Sequence, residues 1–203
     1  MMQLASSEVS PFVRKVRLTI AIKGLEHDVE LVSSASDPER QAALRSRNPL
    51  GKIPTLVLDD GTVVYDSHVI CEYLDGLKPE PRLFPAAPRE RLKALTLAAL
   101  ADGIAEAAVL IVYESRFRPE DKYVKSWVDK QQGKIEAALN LLEAAPPAWK
   151  EHPDYGHIAL AATLAFLDIR QAGRWRQRRP RLEAWLARFA EAVPAYAATM
   201  PNR

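Results

Sequence analysis

The sequence predicts an α/β domain with the element order β-α-β-α-β-β-α, followed by an all-helical domain. Three observations support this prediction. Residues 1–78 alternate short apolar runs typical of strands with segments whose apolar residues recur every three or four positions. Residues 89–203 keep only the helical spacing. Residues 79–88 contain four prolines, which oppose both helix and central strand, so this stretch is predicted to be a linker.

The elements of the first domain follow from local signals. Residues 2–6 form a short apolar strand, and residues 11–24 form a helix that begins at Ser10-Pro11 and ends at Gly24. An Asp-Asp-Gly turn at residues 59–61 joins two strands into a hairpin. The remaining elements are strands 29–32, 55–58 and 62–65, and helices from residue 37 to about 45 and from 66 to about 77. The order predicts a mixed sheet with helices on its faces.

The second domain is predicted to contain helices only. Apolar residues recur at three- and four-residue spacing throughout it. The predicted helices span residues 89 to about 116, 120–144, 154 to about 172, and 181 to about 193.

Composition excludes several classes of protein. One cysteine among 203 residues rules out a disulfide framework and a Cys-x-x-Cys site. The 28 Lys and Arg nearly balance the 26 Asp and Glu, and a net charge of +2 does not indicate a nucleic-acid partner. Residues 1–80 carry nine basic and twelve acidic side chains, a net −3, whereas the rest carries nineteen and fourteen, a net +5.

The cellular location and the metal content are predicted from three patterns that the sequence lacks: a secretory signal, a membrane span and metal-ligand spacing. The N-terminal residues lack a secretory signal, and the longest strongly apolar uncharged run, residues 158–167, is about half the length of a membrane span. We therefore expect a cytoplasmic protein with no membrane partner. The four histidines have no metal-ligand spacing, so no metal is expected.

Ser10-Pro11 is first of all a helix start, because a serine oxygen accepts an orphan amide hydrogen and proline suits the first helical position. A hydroxyl at the positive end of a helix dipole also favours a bound thiolate, and lowers a thiol pKa from about 8.5 toward neutrality. Ser7 is the competing hydroxyl.

The stretch from Asn48 to Thr55 reads Asn-Pro-Leu-Gly-Lys-Ile-Pro-Thr and leads straight into a strand. By composition it is a turn. If the Ile53-Pro54 bond is cis, the amide and carbonyl of Ile53 face outward and pair with an extended peptide ligand.

Asp66-Ser67 precedes a helical segment, so either residue caps the helix. Exposed amides and a hydroxyl at a helix N-terminus also bind a carboxylate. Asp66 is placed to hold an ammonium group nearby.

These three motifs, in this order and spacing, resemble the soluble glutathione transferase family, in particular its bacterial serine-type members. The resemblance continues through residues 101–104 and 158–170, so it covers nearly the whole chain. It implies a thioredoxin-like first domain (residues 1–78), an all-α second domain (residues 89–203), glutathione as co-substrate and usually a homodimer.

The resemblance also assigns roles to residues. Ser10 corresponds to the serine that activates the glutathione sulfur, with Ser7 as the alternative. The glutathione-binding residues that it implies are Lys52, Ile53, Pro54, Asp66, Ser67 and, across the dimer interface, Asp102. We expect the second substrate to be a small apolar electrophile. Its pocket is expected to be lined by Val9, Phe12, Ala105, Val109 and Tyr113.

Two departures from the family pattern bear on stability and binding. The acidic residue is more often Glu or Gln, so the shorter Asp66 is expected to reach the amine through water. His157 replaces an Asp of the family's helix capping box, and an imidazole is not expected to copy the carboxylate's acceptor role. The alternatives to conjugation are a non-catalytic glutathione- or partner-binding protein on the same scaffold, and a glutathione-dependent peroxidase or reductase.

Overall fold

The computed structural model of the chain describes residues 1–34, 37–148 and 151–201. The chain divides into two compact units. The first unit comprises Met1–Arg91 together with the C-terminal residues from Val193 onward, and the second comprises Leu92–Ala192. The sequence instead predicted that those C-terminal residues belong to the all-helical second domain, residues 89–203.

The first unit is built on a four-stranded mixed sheet. Its strands are β1 (Met2–Ser6), β2 (Val29–Ser33), β3 (Thr55–Val57) and β4 (Val63–Tyr65), in the spatial order β2-β1-β3-β4. β1 pairs parallel with β2 and antiparallel with β3, and β3 pairs antiparallel with β4. The predicted element order and the thioredoxin-like fold class are confirmed.

Three longer helices and one short helix complete this unit. They are α1 (Pro11–Ile22), α2 (Pro38–Arg47), α3 (Ser67–Gly76) and, at the C-terminal end, α8 (Ala195–Ala198). α1 packs against α3 and also contacts α8. A buried ion pair ties α1 to α3, because Lys23 Nζ lies 2.9 Å from Asp75 Oδ1. Asp75 also accepts the backbone amides of Leu83 and Phe84, which fixes the chain that leaves α3.

Among its described residues the second unit contains helices and connecting turns but no strand. Its helices are α4 (Pro88–Phe117, whose first turn lies in the first unit), α5 (Lys125–Ala144), α6 (Tyr155–Arg170) and α7 (Pro180–Ala192). α6 is the central core helix, since all its residues from Tyr155 to Leu167 are buried. It approaches α4 so closely that a Cβ on Gly156 would lie 2.6 Å from the carbonyl oxygen of Ala94, which excludes a side chain there.

The helix predicted over residues 120–144 begins later than expected. A 3-10 turn, Glu120–Lys122, precedes α5, and the buried carboxylate of Glu114 explains the break. Its two oxygens accept from the backbone amide of Val124 at 3.0 Å and from Arg118 Nε at 2.8 Å. These bonds hold the chain extended just before α5 begins.

The expectation that His157 cannot act as an acceptor in the capping box of α6 is wrong. Asp154 Oδ1 accepts the His157 amide at 3.2 Å, and His157 Nδ1 accepts the Asp154 amide at 3.1 Å. Nδ1 also lies 2.6 Å from Asp154 Oδ1, so this nitrogen faces both the amide and the carboxylate of Asp154. It accepts from the amide in the tautomer that carries the ring proton on Nε2. The ring is buried and stacks on Trp185 with centroids 6.1 Å apart.

Within the described residues, α4 alone is long and apolar enough to cross a membrane by length and composition. The core helix of a globular domain passes the same test. Leu92 and Leu110 on this helix are exposed, whereas Ala98, Ala101 and Ala105 are buried.

Candidate functional site

Three chain segments with the predicted site residues meet at one edge of the sheet. The register pairs Ala5 of β1 with Thr55 of β3, and Thr55 with Tyr65 of β4. After Ala5, the end of β1 leads into the turn that contains Ser7 and Ser10, and Asp66 directly follows Tyr65. Ile53 and Pro54 come immediately before the same row. The register therefore places the chain segments that carry Ser7 and Ser10, Ile53 and Pro54, and Asp66 and Ser67 at the same end of the sheet.

Two helices also start at this edge of the sheet. α1 follows β1, and α3 follows β4 directly. A helix N-terminus carries roughly half a positive charge, so it stabilises nearby anions. This edge of the sheet is therefore suited to a ligand with more than one negative group.

Ser10 is the N-cap residue of α1. Its Oγ accepts the amide of Val13 at 3.3 Å, and Pro11 occupies the first helical position. A hydroxyl has one hydrogen and two lone pairs, so capping uses only an acceptor site and leaves the hydrogen available to a ligand. The capping and ligand-binding interpretations of Ser10 are therefore compatible.

Ser7 lies three residues before Ser10, in the turn between β1 and α1. Its carbonyl oxygen accepts the Ser10 amide at 3.4 Å, which orders the turn. Both serines are half-buried. Only Ser10 caps the helix, so only Ser10 combines a hydroxyl with the N-terminal end of a helix dipole.

The peptide bond between Ile53 and Pro54 is cis. Ile53 is half-buried and Pro54 is buried. Among the residues that the structure describes, none forms a hydrogen bond with the amide or the carbonyl of Ile53. Both groups are therefore available to pair with an extended backbone.

Asn48 and Thr55 hold the loop that carries Ile53. The buried side-chain amide of Asn48 donates to the Lys52 carbonyl and to Thr55 Oγ1, both at 3.0 Å, and its oxygen accepts the Leu50 amide at 3.0 Å. Thr55 Oγ1 in turn donates to the Lys52 carbonyl at 2.8 Å. Sequence reasoning gave neither residue a role, although an Asn directly before a Pro-x-Gly loop is a signal for such a turn.

Asp66 and Ser67 begin α3. Asp66 caps the helix through Oδ1, which accepts the His68 amide at 2.8 Å, and its other carboxylate oxygen is left for a ligand. Its φ of 73° lies in the left-handed region, which costs energy for a residue other than glycine. Such strain is typical of binding sites. Ser67 is 6% exposed and follows at the start of the helix.

The other predicted residues are distributed over both units. Lys52 is exposed and adjoins Ile53, Val9 is exposed in the turn before α1, and Phe12 is half-buried on α1. In the second unit, α4 carries the half-buried Asp102 and, at four-residue spacing on one face, the buried Ala105, the half-buried Val109 and the exposed Tyr113. Their grouping with the first-unit residues stays a prediction.

Across the described ranges, no cluster of three or more His, Cys, Asp or Glu has the geometry to hold a metal ion. The single cysteine, Cys71, is buried in α3 and accepts a hydrogen bond from Thr19 Oγ1 at 3.3 Å. Buried in this way, it is a core residue rather than an exposed nucleophile.

Two family models match the chain. The model described as "Glutathione S-transferase, N-terminal domain" matches residues 9–77, and "Glutathione S-transferase, C-terminal domain" matches residues 125–188. Among curated proteins, the uncharacterized GST-like protein YibF of Escherichia coli is 33% identical over 187 residues, which cover 89% of this chain and 90% of that protein.

Solved structures show the same similarity over the whole chain. A glutathione transferase family member from Pseudomonas fluorescens with bound glutathione is 41% identical, with a TM-score of 0.94 and full coverage of both chains. A second structure from that organism, with bound S-(propanoic acid)-glutathione, is 40% identical with a TM-score of 0.88, again over the whole of both chains.

Proposed function

The chain belongs to the glutathione S-transferase family, and we propose that it binds glutathione with its first unit and joins the glutathione sulfur to a small apolar electrophile. Ser10 hydrogen-bonds the thiolate, and the cysteinyl backbone pairs with Ile53 before cis-Pro54. Ser67 and the start of α3 take the γ-glutamyl carboxylate, Asp66 holds its ammonium group, and Lys52 contacts the glycyl carboxylate.

The observation that carries this proposal is the alignment of three residues on neighbouring strands. Ala5, Thr55 and Tyr65 form one row of paired residues at the end of the sheet where α1 and α3 begin. Two strand spacings of about 4.8 Å separate the first and last strands of the row. An extended tripeptide spans about 10 Å, the same length. A tripeptide whose middle residue pairs with Ile53 therefore has the length to place its γ-glutamyl end near the N-terminus of α3 and its cysteinyl side chain near that of α1.

The chemistry of the site agrees with a bound thiolate. The dipole of α1 and a hydrogen bond from Ser10 both favour the anion, so they lower the thiol pKa and raise the fraction of nucleophile at neutral pH. The electrophile then loses its leaving group, or accepts the sulfur at an activated double bond, and a thioether forms. Holding both reactants together contributes the rest of the rate enhancement.

The relative that binds S-(propanoic acid)-glutathione supports a site with room for a substituent on sulfur. In this chain we assign that room to Val9 and Phe12 of the first unit together with Ala105, Val109 and Tyr113 of α4. These side chains are mostly apolar, so the assignment favours an apolar electrophile.

We further propose that the protein is a homodimer in the cytoplasm, where glutathione keeps thiols reduced. Exposed apolar side chains on both units support a covered interface: Leu50, Tyr65, Val69, Leu92 and Leu110. Asp102 would then reach the γ-glutamyl group of the partner protomer. Sedimentation that finds only a 22.6 kDa species at micromolar concentration would refute the dimer.

The experiment that tests the proposed reaction is conjugation of glutathione to chloro-dinitrobenzene. A hydrogen bond to an anion contributes about 1.5–3 kcal/mol, so Ser10→Ala should lower kcat/KM by about tenfold or more. Ser7→Ala, in the same turn, should retain nearly the full rate. Equal rates for wild type and Ser10→Ala would contradict the role of Ser10.

The same assay separates the alternatives. Tight glutathione binding without any conjugation would favour the non-catalytic protein. Reduction of an organic hydroperoxide without conjugation would favour the peroxidase, for which Cys71 is poorly placed because it is buried.

A further inference from the structure

The C-terminal segment of the chain lies against the helix that begins at Ser10. α8 packs on α1, and the C-terminal residues from Val193 onward belong to the same unit as α1 although they follow it by about 180 positions. Val193 and Thr199, on either side of α8, are both buried. Residues 193–199 therefore cover part of α1.

Arg14 makes the main polar contacts between α1 and this segment. Its guanidinium is buried and donates from Nη2 to the carbonyl of Tyr196 at 2.7 Å, and from Nε to Thr199 Oγ1 at 3.4 Å. The guanidinium carbon also lies 4.4 Å from the centroid of the Tyr196 ring. A planar guanidinium held by a carbonyl, a hydroxyl and a ring face has little rotational freedom.

Arg14 also belongs to the first turn of α1. Its backbone amide donates to the carbonyl of Ser10 at 3.0 Å, which is the first full helical hydrogen bond of α1. First turns fray readily, because their amides have no partners within the helix. A side chain anchored four residues after Ser10 restrains the turn that carries the serine hydroxyl.

We propose that Arg14, held by Tyr196 and Thr199, is a positioning residue that fixes the first turn of α1, so that the Ser10 hydroxyl and the helix N-terminus face the glutathione sulfur. This inference rests on the proposed function, since it concerns the same thiolate. It gives the C-terminal segment a role in the activity of a site formed near the other end of the chain.

Arg17 provides a matched control. It lies three residues further along α1, and its Nη1 donates to the carbonyl of Thr199 at 3.4 Å. Arg14→Met and Arg17→Met therefore remove the same kind of contact with the same segment. Only Arg14 belongs to the turn that Ser10 caps.

The test is a pH titration of the glutathione thiolate on the protein, followed by its ultraviolet absorbance, for wild type and variants. Arg14→Met should raise the pKa of the bound thiol by about one pH unit, since the anion loses an aligned hydrogen bond and helix terminus. Arg17→Met should titrate as the wild type does. A purely structural role would lower the unfolding midpoint of both variants and leave the titration of the folded protein unchanged.

A second variant keeps the test decisive if Arg14→Met does not fold. Tyr196→Leu retains the carbonyl that accepts from Arg14 but removes the ring beneath the guanidinium, so it should shift the titration in the same direction by a smaller amount. An unchanged pKa of the bound thiol in Arg14→Met would overturn the positioning role. If Arg14→Met does not fold, an unchanged pKa in folded Tyr196→Leu would overturn it. Absence of any thiolate absorbance in wild type saturated with glutathione would instead overturn the proposed function itself.

Discussion

The side-chain amide of Asn48 donates to the hydroxyl of Thr55 at 3.0 Å, and this bond closes the loop that presents Ile53. Asn48 makes two further bonds inside the loop, to the Lys52 carbonyl and the Leu50 amide. One buried side chain thus determines the shape of the segment that we assign to the glutathione backbone.

Replacement of Asn48 by alanine should destabilise the fold and weaken glutathione binding together. Buried groups that lose their partners cost about 1–3 kcal/mol, so Asn48→Ala should lower the free energy of unfolding by about 2 kcal/mol. Urea denaturation and calorimetric titration measure the two effects. Ser46→Ala, which removes a hydrogen bond from an exposed residue of α2 to the Ala43 carbonyl, should change neither. An unchanged affinity in Asn48→Ala would contradict the role of the loop.

Ser67→Ala should weaken glutathione binding without unfolding the protein. Loss of one hydrogen bond to the γ-glutamyl carboxylate costs about 1.4 kcal/mol, so Kd should rise about tenfold. Asp66→Asn should have a similar effect, because the ammonium group of glutathione loses its countercharge.

The matched control for Asp66 is Asp60, which accepts the Thr62 amide at 2.8 Å in the turn between β3 and β4. Both aspartates accept a local backbone amide, but only Asp66 adjoins the proposed site. Asp60→Asn should therefore bind glutathione as the wild type does. A similar loss of affinity in both variants would indicate a general charge effect and contradict the assignment of Asp66.

The pair Glu136 and Arg179 predicts part of the acid sensitivity of the second unit. Burial disfavours the Glu136 carboxylate, but the hydrogen bond and charge of Arg179 outweigh it and hold the pKa below the ordinary value of 4.5. A carboxyl with a lowered pKa stabilises the fold above that ordinary value, and the stabilisation is lost as the pH falls through the folded value. Glu136→Gln should therefore show a smaller loss of stability than wild type below about pH 4.5.

Unfolding by urea at a series of pH values measures this difference. Glu191→Gln, which removes an exposed carboxylate on α7, serves as the control and should follow the wild-type curve. Parallel curves for wild type and Glu136→Gln would rule out the pair as a source of acid sensitivity.

His157→Phe removes both contacts between the imidazole and Asp154 at the start of α6. The phenyl ring keeps the stacking on Trp185 but has no acceptor for the Asp154 amide. Loss of a helix cap costs about 1 kcal/mol, so the free energy of unfolding should fall by about that amount or more. His157→Ala should cost more, because it also removes a buried ring. A His157→Phe variant as stable as wild type would mean that the imidazole contributes packing only.

Sequence reasoning predicted most of the fold because its signals are local. The helix start at Ser10-Pro11, the turn at Asp60-Gly61 and the helical spacing in α6 each depend on a few neighbouring residues. The start of α5 was misplaced because Glu114 acts from another helix. α8 is only four residues long, too short for a periodic pattern, and its contact with Arg14 spans most of the chain.

The candidate site was predicted in part. Ser10, Ile53, Asp66 and Ser67 were identified from motifs, but their proximity depends on strand register, which short strands do not reveal on their own. Asn48 was overlooked because the turn signal of its segment does not show which groups the side chain reaches once the loop has folded. The expectation for His157 was wrong because an imidazole also has an acceptor nitrogen, which in the folded chain lies within reach of the Asp154 amide.

The central claim is that one glutathione molecule lies across the ends of β1, β3 and β4 with its sulfur at the N-terminus of α1. A crystal structure of the protein with glutathione tests this most directly. We predict the sulfur within hydrogen-bond distance of Ser10 Oγ, the cysteinyl backbone paired with Ile53, and the γ-glutamyl carboxylate at Ser67. A sulfur that faces Ser7, or a tripeptide bound away from this sheet edge, would contradict the account.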